Sequence, residues 1–300
     1  MKDARVDVAP EAMPHARASA VSDYVSLTKP RLNLLVVLTS AAGYYLGGTG
    51  APDLRKMALA VAGTALVAGG SAVLNQVYER DTDGRMRRTR MRPLPDQRVA
   101  PLDATIYGIV LAFGGLALLW WSTNWIAGLL AAATLAIYLL IYTPMKRTSS
   151  LSTLVGAVPG ALPAVIGWAA ARGDISLGGW TLFAIVFLWQ IPHFMAIAWM
   201  CRDDYRNAGF PMLPVVEPDG LSTGQQALVY SIALLPVSIG PSVVGVAGWV
   251  YFWLALVLGI GLLYLAARFA LSRTDSSARA LFFGSIVYLP LLWTAMVLDH

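Results

Sequence analysis

Cysteine, histidine and charge are all scarce in this sequence. The single cysteine, Cys201, excludes an internal disulfide framework and a cysteine-rich metal centre. Only 13% of the residues are charged, against about 25% in an ordinary soluble domain. Short segments of alternating hydrophobicity, the mark of a membrane β-barrel, are missing. The first 25 residues lack the apolar core of a cleaved signal peptide. Their Asp3, Asp7, Glu11 and Asp23 do not fit an acid-poor transit peptide. Residues 1–25 therefore read as a disordered cytoplasmic tail, and residues 26–300 as a single transmembrane domain.

What fills the chain is apolar. Hydrophobic residues make up 57% of it, the mean hydropathy is +0.61, and runs near the length of a membrane-crossing helix recur throughout. They predict an all-α polytopic membrane protein of nine transmembrane helices, at about 32–51, 57–78, 102–121, 124–142, 151–171, 179–199, 224–245, 248–268 and 280–298. With the N-terminus inside, every Lys and Arg except Arg55, Lys56 and Arg172 falls on the inner side. The positive-inside rule therefore gives a cytoplasmic N-terminus and supports an odd number of spans. A pI near 9.4 is explained by this topology and calls for no nucleic acid.

The chemically rich loops crowd that same side. The stretch Asn75–Pro95 reads NQVYERDTDGRMRRTRMRPLP. On a helix, Asn75, Glu79 and Asp83 fall within an arc of roughly 80°, so an amide and two carboxylates share one face. Arg85, Arg87, Arg88, Arg90 and Arg92 follow. Carboxylate oxygens suit Mg²⁺, which takes one or two of them and fills its shell with water and substrate phosphate. Guanidiniums suit phosphate oxygens. Together they describe a diphosphate held between a metal and arginines; a topology signal alone would need no carboxylates. Lys146 and Arg147, after Tyr142-Thr-Pro, serve either topology or an anionic substrate.

A second acidic and arginine cap, Arg202-Asp203-Asp204-Tyr205-Arg206, ends the sixth span. Asp203 and Asp204 are either interfacial charges or a second metal–diphosphate contact facing the first, as in a duplicated unit. In the span before them lie Trp189, Gln190, Pro192, His193 and Phe194. Gln190 and His193 share a face, and polar groups within a span usually point into the bundle. His193 reads as a structural hydrogen-bonding group, an axial ligand to haem iron or a proton-transfer group. Gly156, Pro159, Gly160, Pro163 and Gly167 interrupt the fifth span and Pro192 the sixth, either at a cavity or where helices pack closely through small residues.

With both caps in view, the sequence resembles the UbiA-type intramembrane prenyltransferases. The family's first motif, N-x-x-x-D-x-x-x-D, matches Asn75, Glu79 and Asp83, with Glu79 one methylene longer. YTPMKRTSSLSTLVGAVPGALPAVIGW, WQIPHFMAIAW and DDYRNAGFPMLPVV are similar to the haem-farnesylating branch, and the likeness runs over residues 25–295. The second motif departs from the wider family's D-x-x-x-D. The resemblance implies farnesyl diphosphate as donor, protohaem IX as acceptor and Mg²⁺ as cofactor. It implies diphosphate activation by Asn75, Glu79, Asp83, Arg88, Arg92, Lys146 and Arg147, and substrate contacts from Tyr142, Gln190, His193, Phe194 and Tyr205. Asn75, Glu79, Asp83, Asp203 and Asp204 would hold metal. The implied setting is the inner membrane, with a cytoplasmic active face and the product passed to a haem A synthase or a terminal oxidase assembly. Two rivals share some of these features: a UbiA-type enzyme acting on an aromatic quinone precursor, and a secondary transporter, which should carry its charges near the bilayer midplane.

Overall fold

A computed structural model describes residues 19–300, and the described residues are helical with short connections. A surface helix α1 (Ala20–Leu27) precedes α2 (Pro30–Gly47), α3 (Leu54–Asp83), α4 (Pro101–Ser122) and α5 (Trp125–Ala136). α5 runs on through a wide π-helical turn (Ile137–Tyr142) into α6 (Thr143–Met145). Then come α7 (Ser152–Arg172), α8 (Leu177–Met200), two short helices α9 (Arg202–Ala208) and α10 (Leu213–Val216), and α11 (Leu221–Val243), α12 (Trp249–Ser272) and α13 (Asp275–Leu298). Among the described residues, eight helices are long and apolar enough to cross a bilayer: α3, α4, the continuous Trp125–Met145, α7, α8, α11, α12 and α13. α2 is the remaining long helix; it opens on Pro30-Arg31-Leu32-Asn33, which dilutes its apolar character. Large apolar side chains such as Trp121, Leu140 and Val257 face outward, as a lipid-embedded surface requires.

Local chemistry sets the helix ends. Asp53 and Asn124 cap α3 and α5 by accepting from backbone N–H groups, and Thr274 with Ser277 forms a capping box on α13. Gly173 and Gly209, both at positive φ, close α7 and α9. The expected tail overlaps the structure. Residues 1–18 lie outside the described residues, but Ala20–Leu27 form α1, capped by Ser19. It is held down by a fully buried Leu27 and by an ion pair between Asp23 and Arg98.

The expected interruptions in the fifth and sixth spans do not occur: α7 is continuous through Pro159 and Pro163, and α8 through Pro192. Each proline forfeits one backbone hydrogen bond, whereas a break in a bilayer would leave several groups unpaired. The glycines serve close approach. A Cβ at Gly167 would lie 1.9 Å from the Ser40 carbonyl oxygen, and one at Gly43 would lie 2.1 Å from that of Ala164, so α2 and α7 pack nearly backbone to backbone. Gly63, Gly70, Gly108 and Gly115 do the same for α3 against α4. The main core fills the space among α7, α8, α11, α12 and α13.

Candidate active site

α3 continues beyond the expected end of its span as far as Asp83, and so carries the acidic set on ordered helix. Asn75, Glu79 and Asp83 are all buried, at 2%, 3% and 1% exposure, while Asp81 faces solvent beside Arg80. Buried carboxylates need partners, and each has one. Lys146 Nζ lies 2.8 Å from Glu79 Oε1 and donates to Oε2 at 3.0 Å. Arg92 Nη1 donates to Asp83 Oδ2 at 2.7 Å. The Thr89 hydroxyl donates to the Asp83 carbonyl at 2.7 Å and folds the loop back so that Arg92 reaches.

Asn75 is fixed at both ends of its amide. Its Oδ1 accepts from Lys29 Nζ at 3.4 Å, and its Nδ2 donates to Thr143 Oγ1 at 3.1 Å. Thr143 in turn gives its own proton to the Tyr138 carbonyl at 2.7 Å, so its oxygen can only accept from Asn75. That carbonyl also takes the Thr143 N–H, five residues on, which defines the wide turn. Pro144 accounts for it: the ring displaces the carbonyl four residues back and supplies no donor. Gly156 leaves room for the Tyr142 ring, whose nearest atom would sit 2.6 Å from a Cβ there. Lys146 stands over that ring and over Phe210, at 5.6 and 5.0 Å from their centroids.

Lys29 was not among the residues the sequence singled out. It adopts a left-handed backbone at the start of α2. Burial, followed by the nearby charges of Arg92 and Lys146, lowers its pKa to about 8. Burial also opposes the charge on Lys146, but Tyr142 and the Glu79 carboxylate more than offset it, and the pKa of Lys146 rises above the ordinary lysine value. Three cations thus surround two carboxylates at the C-terminal end of α3.

The second cap does meet the first. Met86, Ala208, Phe210 and Met212 form a buried cluster with Tyr205 packed against it, and the Arg88 guanidinium lies 5.8 Å over the Tyr205 ring. Asp203, however, points into solvent and pairs with Arg206 at 2.8 Å, whereas Asp204 is half-buried. Arg147 sits on the flank of α3, 4.7 Å over the Tyr78 ring, and donates to the Tyr78 carbonyl at 2.9 Å. One cluster of contacts therefore gathers Asn75, Glu79, Asp83, Arg92, Lys146, Lys29 and Thr143; Arg88 and Tyr205 pair beside it.

Among the described residues no three His, Cys, Asp or Glu side chains converge as a ready-made metal cage. Mg²⁺ does not require one, since it uses one or two carboxylates and keeps several waters. Glu79 Oε1 is buried and has a charge neighbour but no hydrogen bond. A hard cation fits such an oxygen, and the donor set of amide and carboxylate oxygens suits it.

Deeper in α8, Gln190 Nε2 donates to the carbonyls of Ala157 and Val186, both at 3.1 Å, in the notch left by Gly160. His193 lies between the Trp189 and Phe282 rings, each with its centroid 5.0 Å away. Phe194 is half-buried, its ring centroid 5.9 Å from that of His193.

The model of the UbiA prenyltransferase family matches residues 36–287. A protein of Solibacter usitatus named protoheme IX farnesyltransferase is 46% identical, covering 93% of this chain and 98% of the relative. Another of that name from Koribacter versatilis is 43% identical over 94% of each chain. In fold, the chain is similar to a digeranylgeranylglyceryl phosphate synthase, with a TM-score of 0.79 at 16% identity, covering 93% of this chain and 98% of the other. It is also similar to a UbiA homologue from Archaeoglobus fulgidus solved with GPP and Mg²⁺, at TM-score 0.68, 18% identity and coverage of 92% and 99%. A family match over most of the chain and near-full-length relatives lead to one assignment: the chain belongs to the UbiA prenyltransferase family.

Proposed function

We propose that this chain transfers a farnesyl group from farnesyl diphosphate to a vinyl group of protohaem IX, with addition of water. The observation that supports this reading is the buried cluster at the C-terminal end of α3, where Lys29, Arg92 and Lys146 surround Asn75, Glu79 and Asp83. The names of the full-length relatives support the choice of donor and acceptor. Charges gathered at one end of continuous helices favour an enzyme over a transporter with a midplane site.

Asn75, Glu79 and Asp83 would hold Mg²⁺, which supplies charge stabilisation to the leaving diphosphate. Lys29, Arg92 and Lys146 bind the diphosphate oxygens, and Arg88 stands beside them. As the bond from C1 of the farnesyl group to oxygen breaks, its electron pair leaves with the diphosphate, and these fixed cations stabilise that charge without reorganising. Tyr142 and Phe210 line the Lys146 side with π faces and keep water from the allylic cation. The vinyl π pair forms the new bond to C1, water adds to the carbon next to the porphyrin, and that water loses one proton. Gln190, His193, Phe194 and Tyr205 bind the acceptor side. Asp204 is a candidate second metal contact; Asp203 reaches the cluster only by leaving Arg206.

α2 crosses as the ninth span, the N-terminus lies in the cytoplasm, and the cluster at the C-terminal end of α3 lies on the cytoplasmic face of the inner membrane. The product passes to a haem A synthase or a terminal oxidase assembly. Membranes containing the protein are incubated with labelled farnesyl diphosphate and haem, and the extracted pigments are weighed by mass spectrometry. A haem heavier by farnesol, the sum of the farnesyl group and a hydroxyl, is expected. Label appearing in an aromatic quinone precursor while haem stays unchanged rejects this acceptor.

A further inference from the structure

His193 is held far more firmly than a space-filling ring needs to be. Ser285 Oγ bonds the Phe282 carbonyl at 2.7 Å; with its one proton spent there, the 2.8 Å contact with His193 Nδ1 is donated by the imidazole. The neutral ring is thereby fixed as the Nδ1–H tautomer, with its lone pair on Nε2. Trp189 and Phe282 stack on its two faces, and Trp189 is itself pinned by donating to the Ser285 carbonyl at 2.8 Å. Among the described residues nothing hydrogen-bonds Nε2, and the side chain is only half-buried. On the helical wheel His193 lies about 40° from Trp189, which faces α13, and about 60° from Gln190, which faces α7. Its free edge therefore points between α13 and α7.

We propose that Ser285 is a positioning residue that locks His193 as an Nε2 ligand for the iron of a bound porphyrin. A metal-ligating imidazole characteristically gives its other N–H to an oxygen acceptor, which fixes tautomer and orientation and raises ligand basicity. Here that acceptor is built in, the ring is stacked on both sides, and the ligating nitrogen is left open. The inference rests on the haem reading above and adds to it which atom meets the iron and what aims that atom.

The test titrates ferric haem into the purified full-length protein in detergent, followed by absorbance and electron paramagnetic resonance. Wild type should show imidazole ligation. His193→Ala should lose that signature and regain it with added imidazole. Ser285→Ala should weaken haem binding by about 10–100-fold and shift the ligand-field signals, with farnesyl diphosphate binding unchanged; Ser285→Thr, which keeps the hydroxyl, should restore both. An unaltered spectrum in His193→Ala, or wild-type affinity and spectrum in Ser285→Ala, overturns the proposal. Should wild type farnesylate haem while His193→Ala keeps its spectrum, this inference alone falls. Should wild type neither bind nor farnesylate haem, the functional reading falls and takes the inference with it.

Discussion

The Asn75 amide and the Thr143 hydroxyl meet at 3.1 Å and tie α3 to the wide turn that follows α5. Because Thr143 spends its proton on Tyr138, the pair dictates which end of the amide is turned to Lys29: the oxygen. In Thr143→Val a buried amide N–H loses its acceptor, at a cost of about 1–3 kcal/mol. Turnover should fall by about 10–100-fold, with a raised Mg²⁺ requirement. Thr143→Ser should stay near wild type. Initial rates across a Mg²⁺ series check both.

Asp83 is almost fully buried against Arg92. Asp83→Ala should cost at least about 10²–10³-fold in kcat while the protein remains inserted and helical by circular dichroism. Excess EDTA should stop the wild-type reaction, and added Mg²⁺ should restore it. Near-normal turnover in either case removes the metal role.

Lys29 gives the site a pH limit. Its pKa in the free protein is lowered to about 8, so below that pH it is already charged, and above it diphosphate binding must take up a proton. Affinity for farnesyl diphosphate in metal-free protein should therefore hold below pH 8 and weaken above it, by up to about tenfold per pH unit. Lys29→Arg, always charged, should flatten that limb. Calorimetric titration across pH 7 to 9.5, with the proton uptake measured, decides it.

Close packing of α2 on α7 predicts an asymmetry among glycines. Gly167→Ala drives a methyl group into the Ser40 backbone and should cost about 1–3 kcal/mol or more. Gly261→Ala meets nothing within 4 Å and should be neutral or mildly stabilising. The melting temperatures of the two variants in one detergent make the comparison.

The legible parts of the chain were those whose physics is local. Asn75, Glu79 and Asp83 share a face because of helical period alone, and the long apolar runs announce their spans. Lys29 was not legible because its partner Asn75 lies 46 residues away; its only local signal was a lysine placed directly before the proline that opens α2. The wide turn had one clue, Pro144. Ser285 had none, being one of several serines in an apolar helix, and its role arises only where α13 meets α8. The prolines of α7 and α8 misled in the other direction. Soluble-protein intuition ends a helix there, whereas lipid makes the broken alternative worse. The two neighbouring aspartates of α9 looked equivalent in the sequence, yet helix rotation turns Asp203 outward to Arg206.

Counting signs in the cluster bears on the order of events. With Lys29, Arg92 and Lys146 outnumbering Glu79 and Asp83, the site is electropositive, and a lone dication approaching from water is repelled. An isoprenoid pyrophosphate already chelating its magnesium carries the opposite sign and is drawn in. The ion should therefore travel as a passenger on the donor: equilibrium dialysis should find feeble Mg²⁺ retention by the protein alone and firm retention once pyrophosphate is present.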